Sequence, residues 1–278
     1  MRARPVNKKE KKYSKEKGLV ESCIKVLDEK IVMIKDISGY KPEEAFRGYR
    51  EKEKTYAFDY AFSQDVDQQY VFEMTTRNLI KDVLKGFNAT VFAYGATGAG
   101  KTYTMMGEEG EDGVMLLSIE ELFNQVEAVS ATRDYQLKIS YIEVYNENIR
   151  DLINPSDKYL DLREDPIKGM TVAGVTEIMT TNTDEIMYLL REGNEIRTKE
   201  ATAANAVSSR SHAVLQIIVE NKDRAHGIDS DVNVGKLSMI DLAGSERASA
   251  TLNTGKRLIE GANINRSLLA LANCINAL

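Results

Sequence analysis

The chain has 278 residues, of which 42% are hydrophobic and 29% charged, a balance typical of globular proteins with a substantial core. Its formal net charge of −6 argues against a general nucleic-acid-binding role, because such domains are usually basic, and no apolar run approaches the ~18–20 residues of a membrane helix. The two distant cysteines and two histidines have no metal-ligand spacing, which argues against structural zinc and favours a reducing compartment.

The first part of the chain carries two strongly polar stretches. Residues 8–17 are almost entirely polar and charged, which predicts a solvated loop. Residues 38–54, SGYKPEEAFRGYREKEK, predict a second exposed excursion from the core.

Apolar segments rich in β-branched residues recur further along the chain and predict strands. They cover residues 89–94, 135–145, 211–220 and 234–244. The octapeptide NENIRDLI, directly after the second segment, predicts a short helix, and TDEIMYLLREGNEIR at 183–197 predicts a longer one. Strands interleaved with helices predict an α/β fold, with a central, mainly β-sheet core flanked by helices on both faces.

The first of these strands runs directly into GATGAGKT at 95–102, which fits the phosphate-binding pattern G-x-x-x-x-G-K-[ST]. In such a loop, backbone N–H groups point at the phosphates and the following helix adds its positive end. Lys101 would neutralise the β- and γ-phosphates, and Thr102 would offer its hydroxyl to Mg²⁺. The nucleotide-binding residues predicted here, in what we call the phosphate loop, are Gly95, Ala96, Thr97, Gly98, Ala99, Gly100, Lys101 and Thr102.

Two further motifs suit a nucleotide site. The strand at 234–244 ends in a D-x-x-G pattern, in which Asp241 would hold the Mg²⁺ shell and Gly244 would present its N–H to the γ-phosphate. The polar run NAVSSRSH at 205–212 predicts a loop that closes over the γ-phosphate and Mg²⁺. An ordinary polar loop with a helix cap is the alternative for that run.

The D-x-x-G pattern also occurs in GTPases, so the nucleotide could carry either adenine or guanine on this motif alone. GTPases read guanine with N-K-x-D, and the chain has NKDR at 221–224, with Arg224 where the aspartate is required. The sequence therefore favours ATP over GTP.

The end of the chain predicts an amphipathic helix. Its apolar stripe is formed by Ile264, Leu268, Leu271, Ile275 and Leu278. The pattern reaches the last residue without Gly, Asn or Pro to end it, so we expect a fragment of a longer protein.

Together, GATGAGKT, NAVSSRSH and DLAGSE make the chain similar to the kinesin motor domain, in which NAVSSRSH is the first switch and DLAGSE the second. The similarity continues through MRARPVN, SYIEVYNENIRDLI and GANINRSLLALANCINAL, the last resembling the start of the relay helix. AYGATGAGKT and the segment from SERAS to INAL are most like the kinesin-8 subfamily. The resemblance implies one motor domain over residues 1–278, with a P-loop NTPase-type kinesin motor fold that is incomplete at its C-terminus and ends within the relay helix.

The resemblance also implies that the chain binds and hydrolyses ATP, with Mg²⁺ as cofactor, and that it holds the product ADP. Particular residues take part in each step. The residues that act on the γ-phosphate and the attacking water are Asn205, Ser208, Arg210, Gly244 and Glu246. The residues that hold Mg²⁺ are Thr102, Ser209 and, through water, Asp241. The residues beside the adenine are Arg4, Pro5 and Tyr103, the last standing where many kinesins have histidine. Within the first group, Arg210 and Glu246 would pair, hold the switches closed and relay the proton of the water.

The partner implied by the resemblance is the microtubule, built of α/β-tubulin, with neither nucleic acid nor membrane. The basic residues in tubulin-facing segments are Arg163, Lys168, Lys256, Arg257 and Arg266. Such a patch can steer association with an acidic filament despite the negative net charge. Kinesin-8 resemblance further implies plus-end-directed movement, depolymerisation at filament ends, homodimerisation through segments outside this chain, and a cytoplasmic, cytoskeletal location that includes the spindle. The alternative is a pseudo-motor that grips tubulin in a nucleotide-dependent way with little turnover.

Overall fold

The structure, a computed structural model, describes residues 1–17, 23–36, 52–166, 169–179, 183–204, 209–223, 232–246 and 256–278. The chain divides into two compact units, Met1–Met74 and Thr75–Leu278. The prediction of a single domain over the whole chain stays a prediction. Within the described residues, no helix combines the length and the apolar character that crossing a membrane requires.

The first unit is built on a three-stranded antiparallel sheet. Its elements are α1 (Lys8–Lys17), β1 (Ile24–Val26), β2 (Ile31–Asp36), β3 (Lys52–Ala57) and α2 (Gln68–Thr75). The strands lie in the order β1-β2-β3, and Arg2 forms a parallel bridge with Phe62. Val32, Phe62 and Phe72 form part of the buried core. Of the exposed excursion predicted at 38–54, residues 52–54 belong to β3, and the rest lies outside the described residues.

The prediction of a loop at 8–17 is wrong, because these residues form α1. A capping box at the helix start explains the difference. The Asn7 side chain accepts a hydrogen bond from the Glu10 N–H, and the Glu10 carboxylate accepts one from the Asn7 N–H, each at 2.9 Å. The cap satisfies helix N–H groups locally, so this polar segment forms a helix without an apolar stripe.

The second unit is built on a five-stranded mixed sheet. Its strands are β4 (Asn88–Ala93), β7 (Arg133–Tyr145), β8 (Asn148–Asp151), β11 (His212–Asp223) and β12 (Asn233–Asp241). They lie in the order β4-β12-β11-β7-β8, with β4 and β12 parallel and the other neighbours antiparallel. The four predicted strands are therefore confirmed, with ends shifted by up to three residues.

The prediction of a short helix in NENIRDLI is wrong, because β7 turns back at once into β8. Asn146 and Glu147 form the turn in left-handed backbone conformations, with φ of 50° and 67°. Two consecutive residues with positive φ suit the tight turn of a hairpin, since their twist matches that of the strands. Two smaller hairpins complete the strands of this unit: β5 (Gly107–Glu108) with β6 (Glu111–Asp112), and β9 (Asp161–Asp165) with β10 (Gly169–Ala173).

Helices flank the mixed sheet, as predicted. They are α3 (Arg77–Leu84), α4 (Lys101–Met106), α5 (Val114–Val129), α6 (Thr183–Ala204) and α7 (Lys256–Ala277). Along β11, Leu215 and Ile217 are completely buried on one face. His212 projects from the opposite face, because side chains alternate along a strand, and it contacts Ser267 of α7. The predicted terminal helix is confirmed, and Leu268 of its apolar stripe is buried.

Candidate functional site

The phosphate loop joins the end of β4 to the start of α4, which is the predicted strand–loop–helix context. Gly98 and Gly100 have φ of 77° and 91°, a region that residues with a side chain rarely adopt, so glycine is required at both positions. The Lys101 ammonium donates a hydrogen bond to the Ala96 carbonyl at 3.1 Å. Burial lowers the pKa of Lys101, and the nearby carboxylates of Asp241 and Glu246 act in the opposite direction.

Asp241 lies at the end of β12, beside the last residue of the parallel strand β4. Because the phosphate loop follows β4, this register brings Asp241 next to the first turn of α4. The Thr102 hydroxyl donates a hydrogen bond to Asp241 Oδ2 at 2.7 Å. The structure therefore brings together two of the three predicted metal-site residues, Thr102 and Asp241, although they are far apart in sequence.

The second switch contacts the phosphate loop through Glu246. Its carboxylate accepts hydrogen bonds from the Thr97 N–H at 2.9 Å and from the Thr97 hydroxyl at 2.5 Å. Burial acts to raise the pKa of Glu246, but these hydrogen bonds outweigh it and the pKa is lowered. Nearby, the Gly244 N–H donates to the Ser209 carbonyl at 2.7 Å, and the Ser245 N–H donates to the Gly95 carbonyl at 3.1 Å. The phosphate loop and the two switches thus meet at one place.

The predicted ion pair between Arg210 and Glu246 is not formed in this structure, in which each of the two residues has another partner. Arg210 donates to the Glu260 carboxylate of α7 at 3.2 Å, while Glu246 binds Thr97. Burial, and then the Glu260 carboxylate, raises the pKa of the neighbouring Tyr145 to about 12. The guanidinium of Arg210 is thus held by α7 in this conformation, and its pairing with Glu246 in another position of the switch stays a prediction.

The predictions for the adenine contacts stay predictions. Arg4 lies in the first unit, where its guanidinium donates to the Glu10 carboxylate and, with the Asn7 N–H, lowers the pKa of Glu10 to about 2. Pro5 follows it, and its carbonyl accepts a hydrogen bond from Arg4 at 3.0 Å. Tyr103 lies in α4, and its hydroxyl donates to Glu111 at 2.7 Å, a contact that the sequence did not suggest.

Several predicted residues lie outside the described part of the chain or at its margin. Asn205, Ser208 and Lys168 are outside the described residues, and Lys256 and Arg257 are described only as backbone in the first turn of α7. Two of the predicted tubulin contacts have described side chains. Arg163 pairs with Asp161 on β9 at 3.2 Å, and Arg266 of α7 lies 3.8 Å from the carboxylate of Glu147. All four of these side chains are more than half exposed, so the pairs add little stability and leave the arginines accessible.

Sequence analysis missed Arg197, the largest of the fully buried side chains in this part of the molecule. It lies on α6 and donates to Asp241 Oδ2 at 2.7 Å. It also donates to the hydroxyl and the carbonyl of Ser211, at 3.0 Å and 2.8 Å, and lies 3.9 Å from Glu143. The signal available in the sequence was a charged residue near the core-facing stripe of the predicted helix, four residues after Gly193.

Magnesium fits the residues that are present. Asp241 Oδ1 is buried and has no hydrogen-bond partner among the described residues, so it is available to a water of a metal shell. Thr102 and Ser209 would add hydroxyl oxygens, and hard cations prefer such oxygen ligands. Within the described residues no cluster of three or more His, Cys, Asp or Glu side chains could hold a metal alone.

His212 connects the second switch to α7 by a chain of hydrogen bonds. The Ala243 N–H donates to His212 Nδ1 at 3.1 Å, so Nε2 of the neutral ring carries the proton and donates to the Ser267 hydroxyl at 2.9 Å. Ser267 in turn donates to the Ile264 carbonyl at 2.8 Å. Burial, and then the charge of Arg197, lowers the pKa of His212 to about 4.

We expect this histidine to make the protein acid-sensitive. In the unfolded chain its pKa is about 6.5, so between pH 6.5 and 4 the unfolded state binds a proton that the folded state does not. The contribution of His212 is therefore complete above pH 6.5 and falls by about 3 kcal/mol as the pH is lowered to 4. Denaturant unfolding of the wild type and of His212→Gln across this range measures the difference. Equal pH slopes for the two proteins would contradict the assignment.

The family model described as the kinesin motor domain matches residues 2–278. The chain is 50% identical over 278 residues to kinesin-like protein KIF19 of Homo sapiens, covering 100% of this chain and 27% of that protein. It is 47% identical to kinesin-like protein KIN-8A of Arabidopsis thaliana, covering 100% of this chain and 37% of that protein. With kinesin-like protein KIF18B of Homo sapiens the identity is 45%, over 92% of this chain and 31% of that protein.

These relatives are members of the kinesin-8 family, which agrees with the subfamily resemblance in the sequence. The chain spans only 27% to 37% of their length. A solved structure of a fast kinesin has the same fold, with a TM-score of 0.83 and 32% sequence identity over 100% of this chain and 73% of that one.

Proposed function

Because this chain belongs to the kinesin motor family, we propose that it is the ATP-hydrolysing part of a microtubule-stimulated motor. One observation carries the proposal: the phosphate loop contacts the second switch, which in turn contacts the first. Glu246 binds Thr97, and Gly244 binds Ser209. A module that only holds nucleotide needs the loop alone, whereas a motor also needs segments that respond to the γ-phosphate. The arrangement therefore favours a motor over a static binding module.

Each residue of the site has a role in the proposed hydrolysis of ATP. Lys101 neutralises phosphate charge, and Gly244 offers its N–H to the γ-phosphate. Ser208 and Asn205 position the attacking water, and Arg210 with Glu246 relays its proton once the switches close. Thr102, Ser209 and, through water, Asp241 would hold magnesium, which would supply charge stabilisation to the phosphates. The rate enhancement then comes from positioning and charge, without a covalent intermediate.

The site has two physical connections to α7, which resembles the start of the relay helix. One is the chain from Ala243 through His212 to Ser267, and the other is the ion pair between Arg210 and Glu260. A movement of either switch changes one of these contacts. We propose that α7 carries the state of the nucleotide to the microtubule-binding surface, which includes the accessible Arg163 and Arg266.

In this proposal Arg210 exchanges partners during the cycle, from Glu260 to Glu246. Glu260→Gln weakens the pairing of Arg210 with residue 260. Because this pair is only partly exposed, we expect the change to shift the free-energy difference between the two pairings of Arg210 by about 1 kcal/mol. We expect a basal ATPase rate, without microtubules, about fivefold above that of the wild type. The matched control is Glu147→Gln, which removes an equal charge from the exposed pair with Arg266. A basal rate that is unchanged, or that rises equally in the control, would contradict the exchange.

The resemblance to kinesin-8 members supports finer proposals for the whole protein. These are plus-end-directed movement, depolymerisation at filament ends, homodimerisation through other segments, and a place on cytoplasmic microtubules that includes the spindle. The alternative is a pseudo-motor, which would bind tubulin in response to nucleotide but turn over little.

Steady-state nucleotide hydrolysis, with and without polymerised tubulin, tests the proposed function. We expect ATP hydrolysis to be strongly stimulated by microtubules, GTP to be a poorer substrate, and Glu246→Ala to lose the stimulation while still binding ATP. Low turnover with intact ATP and tubulin binding would favour the pseudo-motor. Preference for GTP would reject the ATP assignment that Arg224 of NKDR supports.

A further inference from the structure

Buried charge lies directly behind the nucleotide site. The side chains of Arg197, Asp241 and Glu143 are almost completely inaccessible to solvent. Removing three charged groups from water is costly unless they hold one another in a defined geometry. Core packing alone does not need them, because apolar residues would fill the same space at no such cost. Their presence behind a phosphate loop points to a functional reason.

The hydrogen bonds of Asp241 are distributed unequally between its two oxygens. Oδ2 accepts from Arg197 and from the Thr102 hydroxyl, each at 2.7 Å, so its acceptor capacity is occupied. Oδ1 is buried with no hydrogen-bond partner among the described residues. A buried carboxylate oxygen of this kind needs a partner from outside the protein, such as a water or a ligand. One oxygen of the carboxylate, Oδ2, is thus held by protein donors, and the other, Oδ1, is available to accept a hydrogen bond.

Arg197 is itself fixed in place by Ser211. The serine carbonyl and hydroxyl accept from two different nitrogens of the guanidinium, at 2.8 Å and 3.0 Å. A planar guanidinium held at several points has little freedom to rotate, so the direction of its bond to Asp241 is fixed. Ser211 itself belongs to the first switch, directly before β11 begins at His212, so the position of Arg197 depends on that switch.

We propose that Arg197 is a positioning residue for the metal-nucleotide complex, acting through Asp241. It holds Oδ2 in place so that Oδ1 faces the water shell of a divalent cation at Thr102. This inference rests on the proposed function in ATP hydrolysis and deepens it, because it makes a residue on α6 responsible for part of the Mg²⁺ dependence of nucleotide binding. Partners that orient metal ligands typically contribute ~10- to 100-fold to metal affinity.

The test measures how tightly magnesium, rather than nucleotide alone, is held. The protein is loaded with fluorescent ADP, and release is followed while free Mg²⁺ is lowered with a chelator buffer. We expect Arg197→Gln to raise the Mg²⁺ concentration at half-release ~10-fold or more. Arg197→Lys should be affected less, because it keeps one donor and the charge. Affinity for ADP in excess chelator should stay within about twofold of wild type in all variants, since the metal is then absent.

Two further variants separate positioning from folding. Ser211→Ala removes one anchor of Arg197 but no charge, so it should fold and shift the Mg²⁺ midpoint ~2- to 5-fold in the same direction. Arg191→Gln, the same change on the exposed side of α6, loses only a surface pair with Asp112 and should leave the midpoint unchanged. Melting curves in chelator report folding, and if Arg197→Gln does not fold, Arg197→Lys and Ser211→Ala decide.

Unchanged Mg²⁺ midpoints in folded Arg197→Lys and Ser211→Ala would overturn the proposal. An equal loss of ADP affinity with and without Mg²⁺ would also overturn it, because Arg197 would then act on the fold of the whole site. Failure of the proposed function looks different, since it would show in the wild-type protein itself, either as no binding of ADP at any Mg²⁺ concentration or as ADP binding without microtubule-stimulated ATP hydrolysis.

Discussion

Replacing Lys101 by alanine is expected to weaken ATP and ADP binding about 100-fold, equivalent to about 3 kcal/mol, and to reduce hydrolysis to background. The ammonium is half-buried beside the Asp241 and Glu246 carboxylates, where it offsets their negative charge. Without it, the phosphates would enter a site whose nearby charges are dominated by two carboxylates, and a charge-assisted contact to phosphate would be lost. Equilibrium titration with a fluorescent nucleotide measures the change in affinity.

The matched control for this variant is Lys85→Ala. It removes the same charge from an exposed pair with Asp82 at the end of α3. We expect it to bind nucleotide as the wild type does, because exposed pairs contribute little and are screened by salt. Tight nucleotide binding by Lys101→Ala would show that the phosphates are held elsewhere, and the assignment of residues 95–102 would fail with it.

Some parts of the site could be predicted from sequence, because one short segment supplies both the backbone conformation and the charged side chain that the site needs. Gly98 and Gly100 with Lys101 form such a segment, because the positive-φ backbone and the charged side chain are neighbours. The meeting of Thr102 and Asp241 was also predictable, since each lies at the end of a strand or loop and parallel strands bring such ends to one edge.

The parts that could not be predicted are those decided by contacts between distant elements. The position of Arg197 near the core-facing stripe of its helix was visible in the sequence, but its contact with Asp241 at 2.7 Å depends on how α6 packs against β12. Glu260 became a partner of Arg210 because α7 lies beside the first switch in this conformation. A motif names the partners available in a cycle, but it does not say which pairing a given conformation holds.

Two predictions of secondary structure were wrong because local hydrogen bonding outweighed the residue composition on which they rested. The charged run at 8–17 lacks an apolar stripe, yet the Asn7–Glu10 capping box was present in the sequence and begins α1. In NENIRDLI the helical spacing was outweighed by the Asn146–Glu147 turn, which pairs β8 with β7. In both cases the hydrogen bonds of backbone groups decided the type of element: Asn7 and Glu10 side chains accept them at the start of α1, and the strands exchange them in the β7–β8 hairpin.

Gly244→Ala is expected to bind ATP but to hydrolyse it ~100-fold or more slowly. A Cβ built on Gly244 would lie 2.3 Å from the Thr97 hydroxyl and 2.4 Å from Glu246 Oε2, far inside contact distance. Because the Glu246 carboxylate is the end of a flexible side chain, it would move away from Thr97, and the protein should still fold. Turnover and ATP affinity, measured separately, distinguish this result from a general loss of the site. Gly110→Ala serves as a control for backbone strain alone: its φ of 88° disfavours alanine, but the added methyl group meets no atom within 4 Å, so we expect lower stability with wild-type turnover.

A double variant shows whether the methyl group acts through Glu246. If displacement of that carboxylate is the cause, Gly244→Ala combined with Glu246→Ala should turn over no more slowly than Glu246→Ala alone, because residues that act as a unit are non-additive. Independent effects would instead multiply, and the double variant would lose turnover by the product of the two. Multiplication would mean that Gly244 contributes mainly its own N–H to the γ-phosphate, and that the Glu246–Thr97 contact is incidental to hydrolysis.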